Sequence, residues 1–258
     1  MNSIFKYKEN NGEVIITGLQ EGVAETAIVI PETIGNMPVV EIGPKAFEFS
    51  TITDIKIGKN IKKIGEKAFY MCNKLRSVTW SHKCDVIPVG CFFGCSNLMQ
   101  FDFSGIKKIG GRAFYESGLQ EVCLTGNTEV VSKKAFSCCK ILRTVIWNCK
   151  CNVIPVECFV RCSNLTKFDF SSVKKIEAYA FWRSGLTSVT LSKKTAVDQN
   201  CFACCNDLEK IEWLSGRSIE GDIFEECQNI KEIIISDNVM GIAVDAFASS
   251  PNAEISFI

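Results

Sequence analysis

The hydrophobic positions of this chain repeat at a nearly constant interval. Successive phenylalanines are separated by 21 to 23 residues, at Phe47, Phe69, Phe92, Phe114, Phe136, Phe159, Phe181, Phe202, Phe224 and Phe247. A period of this length is typical of repeat proteins, in which each unit buries its apolar face only by stacking on its neighbours. The pattern predicts one continuous solenoid of about ten repeats of 22 to 23 residues.

Each repeat also contains a short segment in which polar and apolar residues alternate. The pattern is Leu-x-x-apolar-x-apolar, as in residues 75–80, 119–124 and 186–191. Alternation with a period of two indicates a short, half-buried strand. Nine segments fit this frame, and they end at residues 57, 80, 103, 124, 147, 170, 191, 213 and 235.

The remainder of each repeat contains a second apolar pair and then an Ala-Phe step. Pairs such as Ile61 with Ile64, or Ile106 with Ile109, predict a second, outer strand. A glycine or proline follows, as in residues 64–69 and 87–92. Because proline suits the first position of a helix, we interpret this step as one short helical turn per repeat.

These segments resemble the BspA-like, Treponema pallidum-type branch of the leucine-rich repeats. In that family the unit reads Ile-Gly-x-x-Ala-Phe-x-x-Cys-x-x-Leu-x-x-Ile-x-Ile, and the resemblance covers nearly the whole chain. It implies an α/β repeat solenoid, a right-handed superhelix with a concave parallel sheet and short helical turns on the convex side. Residues 1–42 are then an N-terminal entry or capping segment, and residues 43–258 are the repeats. The loops depart from the family, since they seldom keep its Ile-Pro after the strand.

A longer period is superimposed on the short one. Residues 69–124 and 136–191 match at an offset of 67 positions, which is three repeats. Both copies contain Phe-Asp-Phe, at residues 101–103 and 168–170. A three-repeat block has therefore been duplicated, and residues shared by the two copies are not independent evidence of a site.

Fifteen cysteines permit three interpretations, namely packing, disulfides or a metal site. The third residue after each repeat phenylalanine is Cys or Ser in all ten repeats, and Cys91, Cys158 and Cys201 replace the alanine before it. Nine cysteines thus occupy small inward positions, where a free thiol behaves as a small hydrophobe. Disulfides between cysteines of successive repeats are still possible, because stacked strands lie about 4.8 Å apart, which is within the range of Cα separations that a disulfide spans.

Zinc is the alternative for several of the cysteines. Cys149 and Cys151 are close in sequence to Cys138 and Cys139, and Cys201 and Cys204 have the spacing of a ligand pair. Structural zinc sites usually combine two pairs of the form Cys-x2-4-Cys, and this chain lacks the second pair. We expect neither a metal nor a cofactor. Cys123 is predicted to face outward as the best candidate for a reactive surface thiol.

Charge narrows the classes of partner. Lys plus Arg and Asp plus Glu each number 29, so the chain has no basic excess to bind nucleic acid or an acidic membrane surface. The sequence contains no run of 18 apolar residues, so it does not predict membrane insertion. The first residues do not resemble a signal peptide. The absence of a signal peptide favours the cytoplasm, and so does the presence of free thiols. The family resemblance instead implies the cell surface or secretion.

The candidate catalytic groups argue against an enzyme. His82 is the only histidine, and no nucleophile motif surrounds it. Asp102 and Asp169 are three strands apart, so roughly 14 Å separates them. Paired carboxylates in glycosidases lie only about 5 to 9.5 Å apart. We therefore predict a protein that is not catalytic.

The alternate strand positions form the candidate binding face. If the apolar strand residues point inward, polar residues of mixed charge remain on an exposed sheet about 40 Å long, enough for a protein or an extended glycan. Curved solenoids usually bind through this face. The candidates are Ser77, Thr79, Gln100, Asp102, Glu121, Cys123, Thr144, Ile146, Lys167, Asp169, Ser188, Thr190, Lys210 and Glu212.

Other aromatic residues fall into two groups. Trp80, Trp147 and Trp213 occupy an inward strand position and are predicted to lie in the core. The residue after the repeat phenylalanine is aromatic at Tyr70, Phe93, Tyr115 and Trp182. These rings form either a surface stripe or packing between repeats, and we favour packing.

The resemblance implies a cell-surface adhesion protein that binds host matrix or cell-surface proteins. The alternative is an intracellular scaffold that binds another protein. We also expect an exposed strand edge near residues 253–257, which favours end-to-end pairing of two copies or a further segment.

Overall fold

The chain winds into a β-solenoid of about eleven turns in the computed structural model, which describes residues 3–81 and 84–258. Its turns stack through three sets of backbone hydrogen bonds, which we call the strand ladder, the outer ladder and the turn ladder. Within the described residues, no helix is long and apolar enough to cross a bilayer. The recurring phenylalanines lie inside the stack.

The N-terminal segment builds the first turn. It contains β1 (Phe5–Asn10), β2 (Glu13–Leu19), β3 (Ala27–Val29), β4 (Thr33–Ile34) and β5 (Met37–Ile42). Strands β1 and β2 form an antiparallel hairpin, whose two-residue turn has φ of 50° at Asn11 and 76° at Gly12. Both angles match the mirror-image turns favoured in hairpins. Because β3 already pairs with the first repeat strand, the stack has one turn more than the ten predicted.

The strand ladder consists of parallel, in-register strands. Its members after β3 are β6 (Asp54–Ile57), β8 (Ser77–Trp80), β11 (Glu121–Leu124), β13 (Thr144–Trp147), β16 (Ser188–Leu191), β18 (Lys210–Trp213), β19 (Glu232–Ile235) and β20 (Glu254–Phe257). Inward residues such as Val122 and Leu124 are buried, and Glu121 and Cys123 between them are exposed. Seven of the nine predicted strands are confirmed. The last strand, β20, pairs with β19.

Two predicted strands are wrong, and both carry the Phe-Asp-Phe sequence. Residues 98–103 and 165–170 form no strand, so the ladder divides into the sets β3-β6-β8, β11-β13 and β16-β18-β19-β20. Asp102 Oδ1 accepts the backbone N–H of Ser104 at 2.9 Å, and Asp169 Oδ1 accepts that of Ser171 at the same distance. A short side chain that binds the backbone two residues ahead stabilises a local turn in competition with the sheet.

The outer ladder is made of two-residue parallel strands. These are β7 (Lys63–Ile64), β9 (Val86–Ile87), β10 (Lys108–Ile109), β12 (Val130–Val131), β14 (Val153–Ile154), β15 (Lys175–Ile176) and β17 (Ala196–Val197). They pair in register to form two three-stranded parallel sheets, β9-β10-β12 and β14-β15-β17, and β7 pairs with β5. The second, outer strand predicted from the apolar pairs is therefore present.

The predicted helical turns are wrong, because the described residues contain no helix. Two residues flanking most repeat phenylalanines have a left-handed backbone, such as Lys67 at φ 56° and Met71 at φ 57°. Alternate N–H groups bond within the repeat, as from Tyr70 to Lys67 O at 3.0 Å. The others bond to the next repeat, as from Phe69 to Cys91 O at 3.0 Å. This turn ladder replaces a helix, which needs negative φ throughout.

The core is a continuous column of phenylalanine rings. Neighbouring rings stack with centroids 5.2 to 5.8 Å apart and interplanar angles of 26° or less. Every ring from Phe47 to Phe224 is at most 2 % exposed. Stacked rings at this separation attract one another beyond the burial of their area. The column therefore joins adjacent repeats into one core.

A parallel column of side chains lies beside the rings at the Cys or Ser position. Each cysteine there donates its S–H to the carbonyl of the phenylalanine in the preceding repeat, as from Cys139 to Phe114 O at 3.1 Å and from Cys162 to Phe136 O at 3.2 Å. Ser117 and Ser184 instead contact the sulfur of the next cysteine at 3.3 Å. All nine predicted inward thiols are buried. They act as small core residues, and each of the six at the Cys or Ser position has its S–H satisfied by a carbonyl.

Candidate binding surface

The outward side chains of the strand ladder form one surface, which we call the strand face. It comprises the candidate residues on five strands, namely Ser77, Thr79, Glu121, Cys123, Thr144, Ile146, Ser188, Thr190, Lys210 and Glu212. All are exposed or half-buried. Parallel register sets Glu121 beside Thr144 and Cys123 beside Ile146. The fold therefore brings these predicted residues together in pairs.

Four other candidates lie where the ladder is interrupted. Gln100, Asp102, Lys167 and Asp169 are exposed, but they belong to the two segments that form no strand. The first interruption leaves a depression of about 540 Å³ on the strand face. Its lining includes Arg76, Ser77, Gln100, Asp102, Glu121 and Cys123. The duplicated Phe-Asp-Phe thus changes the relief of the surface.

Hydrogen bonds on and beside the strand face shift the pKa values of its charged side chains. The Ser77 hydroxyl donates to Asp54 Oδ1 at 2.5 Å and is the main cause that lowers the pKa of Asp54. The Ser171 backbone N–H lowers the pKa of Asp169 in the same way. Bonds to Glu232 and Glu212 raise the pKa of Lys210. These groups all stay charged near neutral pH, so the face has both signs of charge.

The tryptophans of the ladder differ in burial. Trp147 and Trp213 are buried, and each indole N–H donates to a carbonyl four residues later, Cys151 O at 2.7 Å and Arg217 O at 3.1 Å. Trp80 is half-buried beside the first interruption, and its Nε1 has no hydrogen-bond partner in the described residues. The core prediction is confirmed for two of the three.

The cysteines considered for a metal site differ in burial. Among the described residues, no three His, Cys, Asp or Glu side chains gather where they could hold a metal ion. Cys139 belongs to the buried column, whereas Cys149 and Cys151 are half-buried. His82 lies outside the described residues.

Cys149 and Cys151 are two neighbouring half-buried thiols that the sequence did not single out as reactive. The Cys149 S–H donates to Cys151 O at 3.3 Å, and interaction with the Cys149 side chain lowers the pKa of Cys151 to about 6 and raises that of Cys149. Burial raises the pKa of Cys139 and Cys205 to about 12. Because the thiolate is the nucleophile, the lowered pKa makes Cys151 the more reactive thiol near neutral pH, and the raised pKa makes the column thiols unreactive.

Native iodoacetamide alkylation followed by mass spectrometry is expected to label Cys151 before any thiol of the buried column. The rate at Cys151 is expected to fall as the pH is lowered through about 6, because the thiolate is lost. Cys149→Ala removes the hydrogen bond and is expected to slow labelling at pH 7, whereas Cys149→Ser keeps a donor and retains more of the rate. Equal labelling of Cys139 and Cys151 would contradict this assignment.

The aromatic residues that follow the repeat phenylalanines stack on one another along the turn ladder. Tyr70 and Phe93 have ring centroids 4.7 Å apart, and so do Phe93 and Tyr115. All three rings are half-buried. The two predicted alternatives are therefore combined, since the rings pack between repeats and also line the surface. Trp182 lies farther along, beyond Ser137 and Val160, which carry no ring.

The Ser137–Val160 interval is a site that the sequence analysis missed. A cavity of about 390 Å³ opens there between Tyr115 and Trp182, and its rim includes Arg161 and Tyr179. The Arg161 guanidinium lies over the Trp182 ring at 5.3 Å, and that of Arg183 lies over the same ring at 4.5 Å. The only available signal was that Ser137 and Val160 interrupt a column of aromatic positions.

Comparison with known proteins finds one type of repeat along most of the chain. The model of the BspA type leucine rich repeat region matches residues 26–143, 85–209 and 129–254. The structure is similar to a leucine-rich repeat protein from Bacteroides ovatus, with a TM-score of 0.70 and 22% identity over 100% of this chain and 78% of that one. No curated protein sequence matches the chain significantly.

Two further solved structures have the same fold. A leucine rich cell surface protein from Faecalibacterium prausnitzii matches with a TM-score of 0.58 and 22% identity, over 100% of this chain and 76% of that one. The pneumococcal vaccine antigen PcpA matches with a TM-score of 0.51 and 14% identity, over 99% and 92% of the two chains. At these identities the likeness establishes the fold alone.

Proposed function

The chain belongs to the BspA-type leucine-rich repeat family, and from that premise we propose that it is a non-catalytic binding protein whose ligand is another protein. The proposed binding surface is the strand face together with the depression beside Asp102. Proteins of this kind offer a long repeated surface instead of a deep cleft. The depression of about 540 Å³ opens onto that surface.

The observation that carries the proposal is an exposed apolar pair in the middle of a polar surface. Cys123 and Ile146 are neighbours on β11 and β13, and Ile146 is 45 % exposed. Glu121 and Thr144 lie beside them, and charged Lys210 and Glu212 lie farther along the ladder. An apolar centre with a polar rim is the usual anatomy of a protein interface.

The proposed setting is the cell surface, where the protein would attach to a host matrix or cell-surface protein. The F. prausnitzii protein of the same fold is described as a cell surface protein, which supports this setting. An intracellular scaffold is the alternative, favoured by nine thiols at core positions where serine or alanine also occurs. An extended glycan on the same face and pairing of two copies at the β20 edge are further proposals for partners.

A pair of matched variants tests the strand face. Cys123→Arg with Ile146→Glu adds bulk and two opposite charges at the proposed centre, and it leaves the net charge near zero. Val86 and Val130 are 41 % and 43 % exposed on the outer ladder, on either side of Lys108, so Val86→Arg with Val130→Glu is the control. We expect the strand-face variant to lose at least about ten-fold in affinity for the partner recovered with wild type.

The measurement is a quantitative pull-down from source and host lysates, followed by titration of the recovered protein. Both variants must first match the wild type in circular dichroism and thermal unfolding. Undiminished binding by the strand-face variant, or equal loss in both variants, would place the site elsewhere.

A further inference from the structure

We infer that the cavity between Tyr115 and Trp182 is a second binding site, specific for a polypeptide segment in which an aromatic side chain is flanked by carboxylates. The site lies on the turn ladder and is separate from the strand face. Its walls are aromatic, its floor is buried, and its rim contains arginine.

The aromatic rings along the turn ladder are interrupted at this cavity. Along the turn ladder, aromatic side chains from adjacent repeats stack 4.7 Å apart up to Tyr115. Trp182 is three repeats farther along, and the intervening Ser137 and Val160 are 2 % and 7 % exposed. Between Tyr115 and Trp182 the stack therefore lacks rings at two levels.

Arg161 occupies part of the gap between Tyr115 and Trp182. Its guanidinium lies 5.3 Å from the centre of the Trp182 ring and so fills the level next to that ring. The space over Ser137 is then the part of the gap that stays empty, with the Tyr115 ring on one side and the Arg161 guanidinium on the other. An aromatic ring inserted there stacks on Tyr115 and takes a cation–π contact from Arg161. One planar side chain fits the site, and an aliphatic one forgoes both contacts.

The charged side chains on the rim of the cavity favour a negatively charged ligand. Lys134 and Glu157 on the rim pair with each other at 2.9 Å and cancel. Arg161 and Arg183 are exposed, and neither guanidinium forms an ion pair within the part of the chain that the structure describes. A guanidinium presents a planar fork of donors that matches a carboxylate. Asp or Glu beside the inserted aromatic residue therefore completes the site.

The chemistry of the floor and rim favours a peptide over a sugar or a nucleotide. A sugar ring requires several available polar groups next to the aromatic platform, whereas Ser137 and Val160 form the floor, and Lys134 and Glu157 on the rim are paired with each other. Ser137 and the phenol of Tyr115 both contact the Cys138 sulfur, at 3.8 and 3.4 Å. A nucleotide phosphate would find no free backbone N–H groups to bind it, because those of Ser137, Cys138 and Arg161 already bond to Lys134 O, Val160 O and Trp182 O.

The test uses the full chain and a fluorinated peptide, Gly-Asp-(4-fluorophenylalanine)-Asp-Gly, followed by 19F NMR. We expect saturable binding, with affinity lower by about ten-fold for the same peptide carrying Lys in place of Asp. Gly-Asp-Leu-Asp-Gly is expected to compete about ten-fold more weakly than the phenylalanine peptide, because it lacks the stacking contacts.

Two variants and a control locate the site. Ser137→Phe places a ring at the level proposed for the ligand, as Phe93 does two repeats earlier, and it is expected to abolish peptide binding. Arg161→Ala changes an exposed side chain and is expected to weaken binding about ten-fold. Arg143→Ala, also exposed but next to the strand ladder, is expected to leave the affinity unchanged.

Absence of peptide binding, equal competition by the leucine peptide, or full binding by folded Arg161→Ala would overturn the inference. Stronger displacement by maltose or adenosine monophosphate than by the unlabelled parent peptide would overturn the peptide assignment. Loss of peptide binding in Ser137→Phe and Arg161→Ala, with Arg143→Ala unaffected, would support it whether or not the strand face binds a protein.

Discussion

Phe136→Ala is expected to lower the free energy of unfolding by about 3 to 5 kcal/mol. Phe136 is 0 % exposed and stacks between Phe114 and Phe159, with ring centroids 5.7 Å away on each side. Removing the ring leaves a cavity that two neighbouring repeats border, and the backbone bonds of the turn ladder limit how far they can collapse. Urea unfolding followed by circular dichroism measures the change.

Phe257→Ala is the matched control for that variant. Phe257 lies on β20 and is 57 % exposed, so its loss is expected to change stability by less than about 0.5 kcal/mol. Repeat proteins are stabilised by contacts between neighbours, so a two-step transition in Phe136→Ala would show that the ring couples the two halves of the stack. Similar losses in both variants would contradict a continuous ring column.

Gly118→Ala is expected to destabilise the protein by about 1 to 3 kcal/mol, the usual cost of overpacking. A Cβ at Gly118 would overlap the carbonyl oxygen of Ser96, and Gly185 has the same relation to Ser163 in the duplicated block. In both places a backbone group obstructs the methyl, so relief requires the two repeats to separate. Thermal and urea unfolding of Gly118→Ala and Gly185→Ala should show similar losses.

Gly126→Ala tests whether the effect is steric. Nothing lies within 4 Å of a Cβ built on Gly126, and its φ is not in the left-handed region. The change is therefore expected to be neutral or to stabilise by up to about 1 kcal/mol through the unfolded state. A loss at Gly126 as large as that at Gly118 would mean that close approach of the repeats is not the cause.

The interior of this protein was predictable because it depends on residue type and period. The phenylalanine spacing indicated the stack, and the Cys or Ser position indicated a buried column that Cys139 and Cys162 now exemplify. The helical turn was not predictable correctly, since Lys67 and Met71 adopt a left-handed backbone that their residue types do not favour. Bonds to the next repeat hold them there, and a single repeat contains no sign of such bonds.

The surface was less predictable than the core. Alternation along the strands placed Cys123 and Ile146 outward, but it gave no warning that Asp102 and Asp169 would end two strands through bonds to the backbone. Nor could it show the turn-ladder cavity, whose walls come from residues 67 positions apart in the sequence, Tyr115 and Trp182. Such a site depends on which side chains are small as much as on which are aromatic.

The central claim is that the strand face is the surface that contacts the protein partner. Hydroxyl-radical footprinting of the free protein and of its complex with the recovered partner tests that claim most directly. We predict that complex formation protects Cys123 and Ile146 from oxidation and leaves Val130 on the outer ladder as reactive as before. Protection of Val130 with no change at Cys123 and Ile146 would contradict the claim.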